Sequence, residues 1–110
     1  MATSYSILAQ AAPSATTDTD LYTVAASTEI VGSTLYICNR GGSATTFRVA
    51  LRPDGATITD AMYIAYDVPV AANDTTTITT GLTLGATDVV TVYAGNANLS
   101  FNLSGAEITP

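Results

Sequence analysis

The sequence predicts an all-β protein: a single antiparallel β-sandwich, Ig-like or jelly-roll, of about seven strands, with an extended N-terminal arm. Three observations lead there. Apolar and polar residues alternate with period two, most cleanly at Phe47, Val49 and Leu51 against Thr46, Arg48, Ala50 and Arg52. Turn chemistry built on Gly, Asn and Asp recurs about every ten to fifteen residues. No segment repeats apolar residues at i, i+3, i+4 and i+7 over helical length, which argues against βαβ units.

Taken in chain order, residues 1–19 end in Ser14-Ala15-Thr16-Thr17-Asp18-Thr19 and read as an extended arm with a flexible joint, able to add a strand to a neighbour. The sandwich domain is expected over 20–110. Its strands are placed at about Asp20 to Ala25 and Ile30 to Cys38, rich in β-branched and aromatic residues. The strand around Thr46 to Arg52 follows the turn Asn39-Arg40-Gly41-Gly42 and ends at Pro53-Asp54-Gly55. A short helical turn fits near Ile58 to Ala61. Further strands are expected at Tyr63 to Val70, Thr75 to Leu82 and Asp88 to Ala94, separated by Ala72-Asn73-Asp74 and Leu84-Gly85. After Gly95-Asn96-Ala97-Asn98, the last strand sets Leu99, Phe101 and Leu103 inward against Ser100, Asn102 and Ser104.

A chain of 110 residues makes one domain. Charged residues are only 11% of it, against roughly 25% in an average soluble domain. Its mean hydropathy is nevertheless +0.33. The longest apolar stretches, such as Ala61 to Tyr66, fall far short of the roughly 20 residues of a membrane helix. Twenty Thr and eighteen Ala place small neutral side chains where a monomer's surface carries Lys and Glu, which points to a surface partly covered by neighbouring chains. The edges of a sandwich are normally blunted by lysine, proline or bulges. Lysine is absent, and Pro53 and Pro69 protect one edge at most, so the remaining edges are expected to be covered by the N-terminal arm or by another subunit, and a homo-oligomer or a place in a larger assembly is expected.

Charge and residue inventory exclude several functions. Nine acidic residues against three arginines give −6, which repels nucleic-acid phosphates and anionic membranes. Without His, Lys or Trp the chain lacks the usual proton-transfer residue, the Schiff-base amine and the strongest sugar-stacking ring. Cys38, the single cysteine, has no histidine to activate it and reads as a small hydrophobe buried at a strand end; it also precludes an intrachain disulfide. The segment Met1 to Gln10 lacks a basic start and does not read as a secretory signal. The spacing of Asp54, Asp60, Asp67, Asp74 and Asp88 singles out no acid and base, and all but Asp67 fall in turns or at strand boundaries, where Asp caps backbone groups. The pairs Asp18/Asp20, Asn73/Asp74 and Asn96/Asn98 offer oxygen ligands for a hard cation but no EF-hand spacing. Three Asn-x-Ser/Thr sequons, at Asn73, Asn98 and Asn102, are expected by chance in so Thr-rich a chain. Catalytic, cofactor and metal residues are therefore expected to be none.

Two features remain for binding. All cations, Arg40, Arg48 and Arg52, lie between residues 40 and 52, so these three are the candidate subunit-interface residues, with Arg48 and Arg52 outward on one strand and able to pair with a neighbour's carboxylate. The six tyrosines offer a stacking surface, although strict alternation puts Tyr63 and Tyr66 on opposite faces of their strand.

The segments Leu21-Tyr22-Thr23-Val24-Ala25, Cys38-Asn39-Arg40, Thr46-Phe47-Arg48-Val49-Ala50-Leu51-Arg52-Pro53, Tyr63-Ile64-Ala65-Tyr66-Asp67-Val68-Pro69 and Leu99-Ser100-Phe101-Asn102-Leu103 resemble small accessory virion proteins of tailed bacteriophages, over about residues 21 to 108. The resemblance carries over no catalytic or binding residue. It implies a non-enzymatic virion protein, assembled in the host bacterial cytoplasm and partnered by copies of itself and by virion proteins such as the major capsid protein, with neither nucleic acid nor membrane as partner. The expected role is capsid decoration or cement. A neck, tail or fibre position, or a glycan or host-surface adhesion module, is the alternative.

Overall fold

In the computed structural model, which describes residues 2–79 and 81–110, nine strands form two antiparallel sheets packed face to face. One sheet runs β1 (Ala2–Ala11), β9 (Leu99–Thr109), β3 (Glu29–Asn39), with β6 (Thr75–Ile78) and β7 (Leu82–Leu84) both paired to the far side of β3. The other runs β2 (Thr19–Thr23), β8 (Val89–Ala94), β4 (Thr45–Arg52), β5 (Tyr63–Val70). The chain is an all-β sandwich.

The alternating runs supply its core. Phe47 and Val49 of β4 and Leu99, Phe101 and Leu103 of β9 are all buried, and they come from opposite sheets. Phe47 and Phe101 meet edge to face with centroids 6.4 Å apart. Ile30, Leu35 and Ile37 of β3 and Val90 and Val92 of β8 complete the layer. The inward set of β3 changes parity between Gly32 and Leu35 because its register against β9 shifts between Gly32 and Thr34. One extra residue in a strand turns every later side chain to the other face unless a bulge absorbs it.

Two expectations change. The run expected as one strand from Thr75 to Leu82 is broken into β6 and β7. Gly81 has φ +64°, a left-handed backbone that leaves the extended path. The N-terminal segment is extended, as expected, but its first part is a strand of this molecule's own sheet. Ala2 to Ala11 pair with Thr109 to Phe101, covering the edge that β9 would otherwise expose. The linker then packs Pro13 inward and bridges Ala15 to Ala94. The short helical turn lies at Asp60–Met62, beside a second at Pro53–Gly55.

Candidate functional site

The three arginines find partners within the chain. The register Arg48↔Tyr93 and Arg52↔Val89 holds both side chains on the outer face of the β2-β8-β4-β5 sheet, as their alternation requires. Arg52 donates from Nη1 to Asp20 Oδ1 at 2.9 Å and to Thr91 at 3.3 Å, and from Nε and Nη2 to the carbonyls of Ala56 and Gly55. Arg40 donates to the Ala97 carbonyl at 3.1 Å. Arg48 forks onto Asp67, with Nε 2.7 Å from one carboxylate oxygen and Nη2 3.4 Å from the other. This hydrogen bond, opposed by a smaller effect of burial, pushes the guanidinium further above its ordinary range. Within the chain, the carboxylates that face Arg48 and Arg52 are those of Asp67 and Asp20.

Arg48 also lies between two tyrosines, 4.2 Å from the Tyr66 ring centroid and 4.3 Å from that of Tyr93. Tyr63 joins them, its centroid 4.9 Å from Tyr66 with ring planes at 85°. Strict alternation would have put Tyr63 and Tyr66 on opposite faces. Instead β5 shifts register twice against β4, between the pairs Phe47↔Val68 and Val49↔Ala65 and again before Ala50↔Tyr63, so both rings reach the outer face. Asp67 sits in the first of these irregularities with φ +50°. A spacing of three between two aromatic residues in a strand that also contains an Asp was the available signal. Asp60, Tyr63 and Tyr66 line an open cleft of about 450 Å³.

The outer face of the other sheet has a different chemistry. Tyr5, Ala106, Val31 and Thr83 form a row across four strands, and Tyr36 stands in a second row with Asn102 and Thr77. Tyr5 is 83% exposed and Ile7 62%, and Val31 and Tyr36 are exposed beside them. Among the described outward positions of this face Glu29 is the one charged side chain, and it stands at the end of β3.

Several of the remaining candidates find partners within the fold. Cys38 is half-buried on β3, opposite Thr75 and Ser100, and not buried as the sequence suggested, because it points outward from its sheet. Asp88 accepts the backbone N–H groups of Asp54 and Gly85, and Asp74 accepts that of Thr75. Asn96 accepts the N–H of Asn98, and Asp20 belongs to Arg52 and Thr91. Among the described residues no three His, Cys, Asp or Glu side chains gather as a metal site. Asn39, read from sequence as part of a turn, is instead a buried clamp at the end of β3. It donates to the carbonyls of Ser43, Val70 and Ala71 and accepts the N–H of Gly41.

No protein-family model, curated protein or solved structure matches this chain.

Proposed function

We propose that the protein is a non-enzymatic structural subunit of a bacteriophage virion, a decoration or cement protein that stabilises the capsid through contacts with its own copies and with the major capsid protein. The observation that carries the assembly part of this reading is the outer face of the β1-β9-β3 sheet. Its rows of Tyr5, Ile7, Val31 and Tyr36 are exposed, while eight of the nine carboxylates lie off that face, which holds only Glu29. Copies of a chain with net charge −6 repel one another at long range, and a face from which that charge is withheld is where they can approach. Apolar and tyrosine side chains set among Thr and Ser have the composition of a subunit contact. The virion part of the reading is supported by the resemblance of the sequence segments to accessory virion proteins.

Quantitative mass spectrometry of purified virions tests the whole. The chain is expected in numbers comparable with the major capsid protein. A far lower count moves it to the neck, tail or fibre, and its absence from particles overturns the virion reading. Sedimentation of the purified chain tests assembly separately: Val31→Lys is expected to reduce self-association, and a wild-type chain that stays monomeric at all concentrations overturns it.

A further inference from the structure

The outer face of the β2-β8-β4-β5 sheet holds an arrangement that self-association leaves unused. Tyr63 and Tyr66 stand at 85° to each other and make the two walls of a corner, with Asp60 lining the same open cleft. Tyr66 is 56% exposed, yet its ring is fixed from outside the core by the guanidinium of Arg48, which Asp67 holds in turn. An exposed aromatic residue held in place binds with little ordering cost.

We propose that this corner receives the alkylammonium group of a lysine side chain presented by a different protein. Ring faces attract cations, and a nearby carboxylate strengthens that attraction. Among the described residues the ion pairs are Arg48–Asp67 and Arg52–Asp20, which leave the Asp60 carboxylate out, while Asp67 balances the charge of Arg48. A saccharide stacks on a flat ring face, whereas two perpendicular walls suit a compact ammonium on a narrow stem. The cleft is open, which fits a side chain reaching in from a protein surface and not a small metabolite, which calls for enclosure. This chain contains no lysine, so a second copy cannot supply the group, and its net charge of −6 draws basic partners. The site is thus independent of the face through which copies are proposed to meet.

The experiment is an NMR titration of the full chain with Nα-acetyl-lysine methylamide. Saturable shifts of the Tyr63 and Tyr66 ring resonances are expected, diminishing as salt is raised. Asp60→Asn is expected to weaken the apparent affinity about fivefold, and Tyr63→Leu to abolish the response, both with the wild-type dispersion of amide signals retained. Tyr5→Ser, on the opposite face, is expected to leave it unchanged. The proposal is overturned by the absence of saturable shifts, by an undiminished response in Asp60→Asn, or by an equal response to the uncharged norleucine analogue, to the arginine analogue or to a neutral disaccharide.

Discussion

Arg52 Nη1 lies 2.9 Å from Asp20 Oδ1, and the pair joins β4 to β2 across β8, the strand that separates them. Thr91 of β8 donates to the same carboxylate oxygen at 3.0 Å, so three neighbouring strands share one polar junction. The rest of the guanidinium holds the turn that follows β4 through the carbonyls of Gly55 and Ala56. A planar fork with fixed donor directions meets these acceptors together, and a single ammonium cannot.

Arg52→Lys is therefore expected to lower stability by about 1–2 kcal/mol in urea unfolding, even though charge is conserved. In the sequence, outward alternation left Arg48 and Arg52 free to pair with a neighbour's carboxylate. With Arg52 tying two strands and a turn, Arg52→Glu is now expected to destabilise the monomer more than Arg52→Lys does. Equal midpoints for wild type and Arg52→Lys would remove this role.

Asn39 is 1% exposed and its amide serves three carbonyls from two loops. Asn39→Ala leaves those buried groups short of a donor, at a cost of about 2–3 kcal/mol. Asn39→Asp is expected to be worse at neutral pH, since a carboxylate facing carbonyls has nothing to donate. Denaturant titration of the two variants checks the order.

Gly105 lies against the irregular part of β3. A Cβ there would collide with the Val31 carbonyl oxygen and lie 2.8 Å from Gly32 Cα, and both obstacles are backbone. Gly105→Ala is expected to cost about 3 kcal/mol or to prevent folding, by forcing β9 away from β3. Gly42 has open space around the same position, so Gly42→Ala is the matched control, with a melting temperature close to wild type.

Tyr22 of β2 donates its hydroxyl to Glu107 of β9 at 3.2 Å, linking the two sheets. Burial first, then this hydrogen bond and the carboxylate charge, raise its pKa above the ordinary 10.0. The folded chain thus keeps a proton that the unfolded chain releases. Its stabilisation is complete below pH 10.0 and is lost as pH rises through the raised folded value. Phenolate absorbance is expected to show a late-titrating tyrosine that disappears in Tyr22→Phe, and the loss of stability above pH 10.0 should be shallower in that variant.

The sequence by itself determined the fold class and the part of the core that β4 and β9 supply. Phe47, Val49, Leu99, Phe101 and Leu103 could be assigned inward because alternation records burial on one face, which is a local property of a strand. The same rule names no partner: Ser4-Tyr5-Ser6-Ile7 alternates, but Ala2 to Ile7 are exposed on both faces, so no local burial tied β1 to this chain's own sheet and it read as an arm. Only the tertiary structure decided that β1 pairs with β9 of its own chain, that Asp20 and Asp67 answer the arginines, and that Tyr63 and Tyr66 share a face. Strand partners and bulge positions are settled by contacts between residues far apart in the chain. A one-residue change of register turns a side chain from core to surface without altering the composition of its strand.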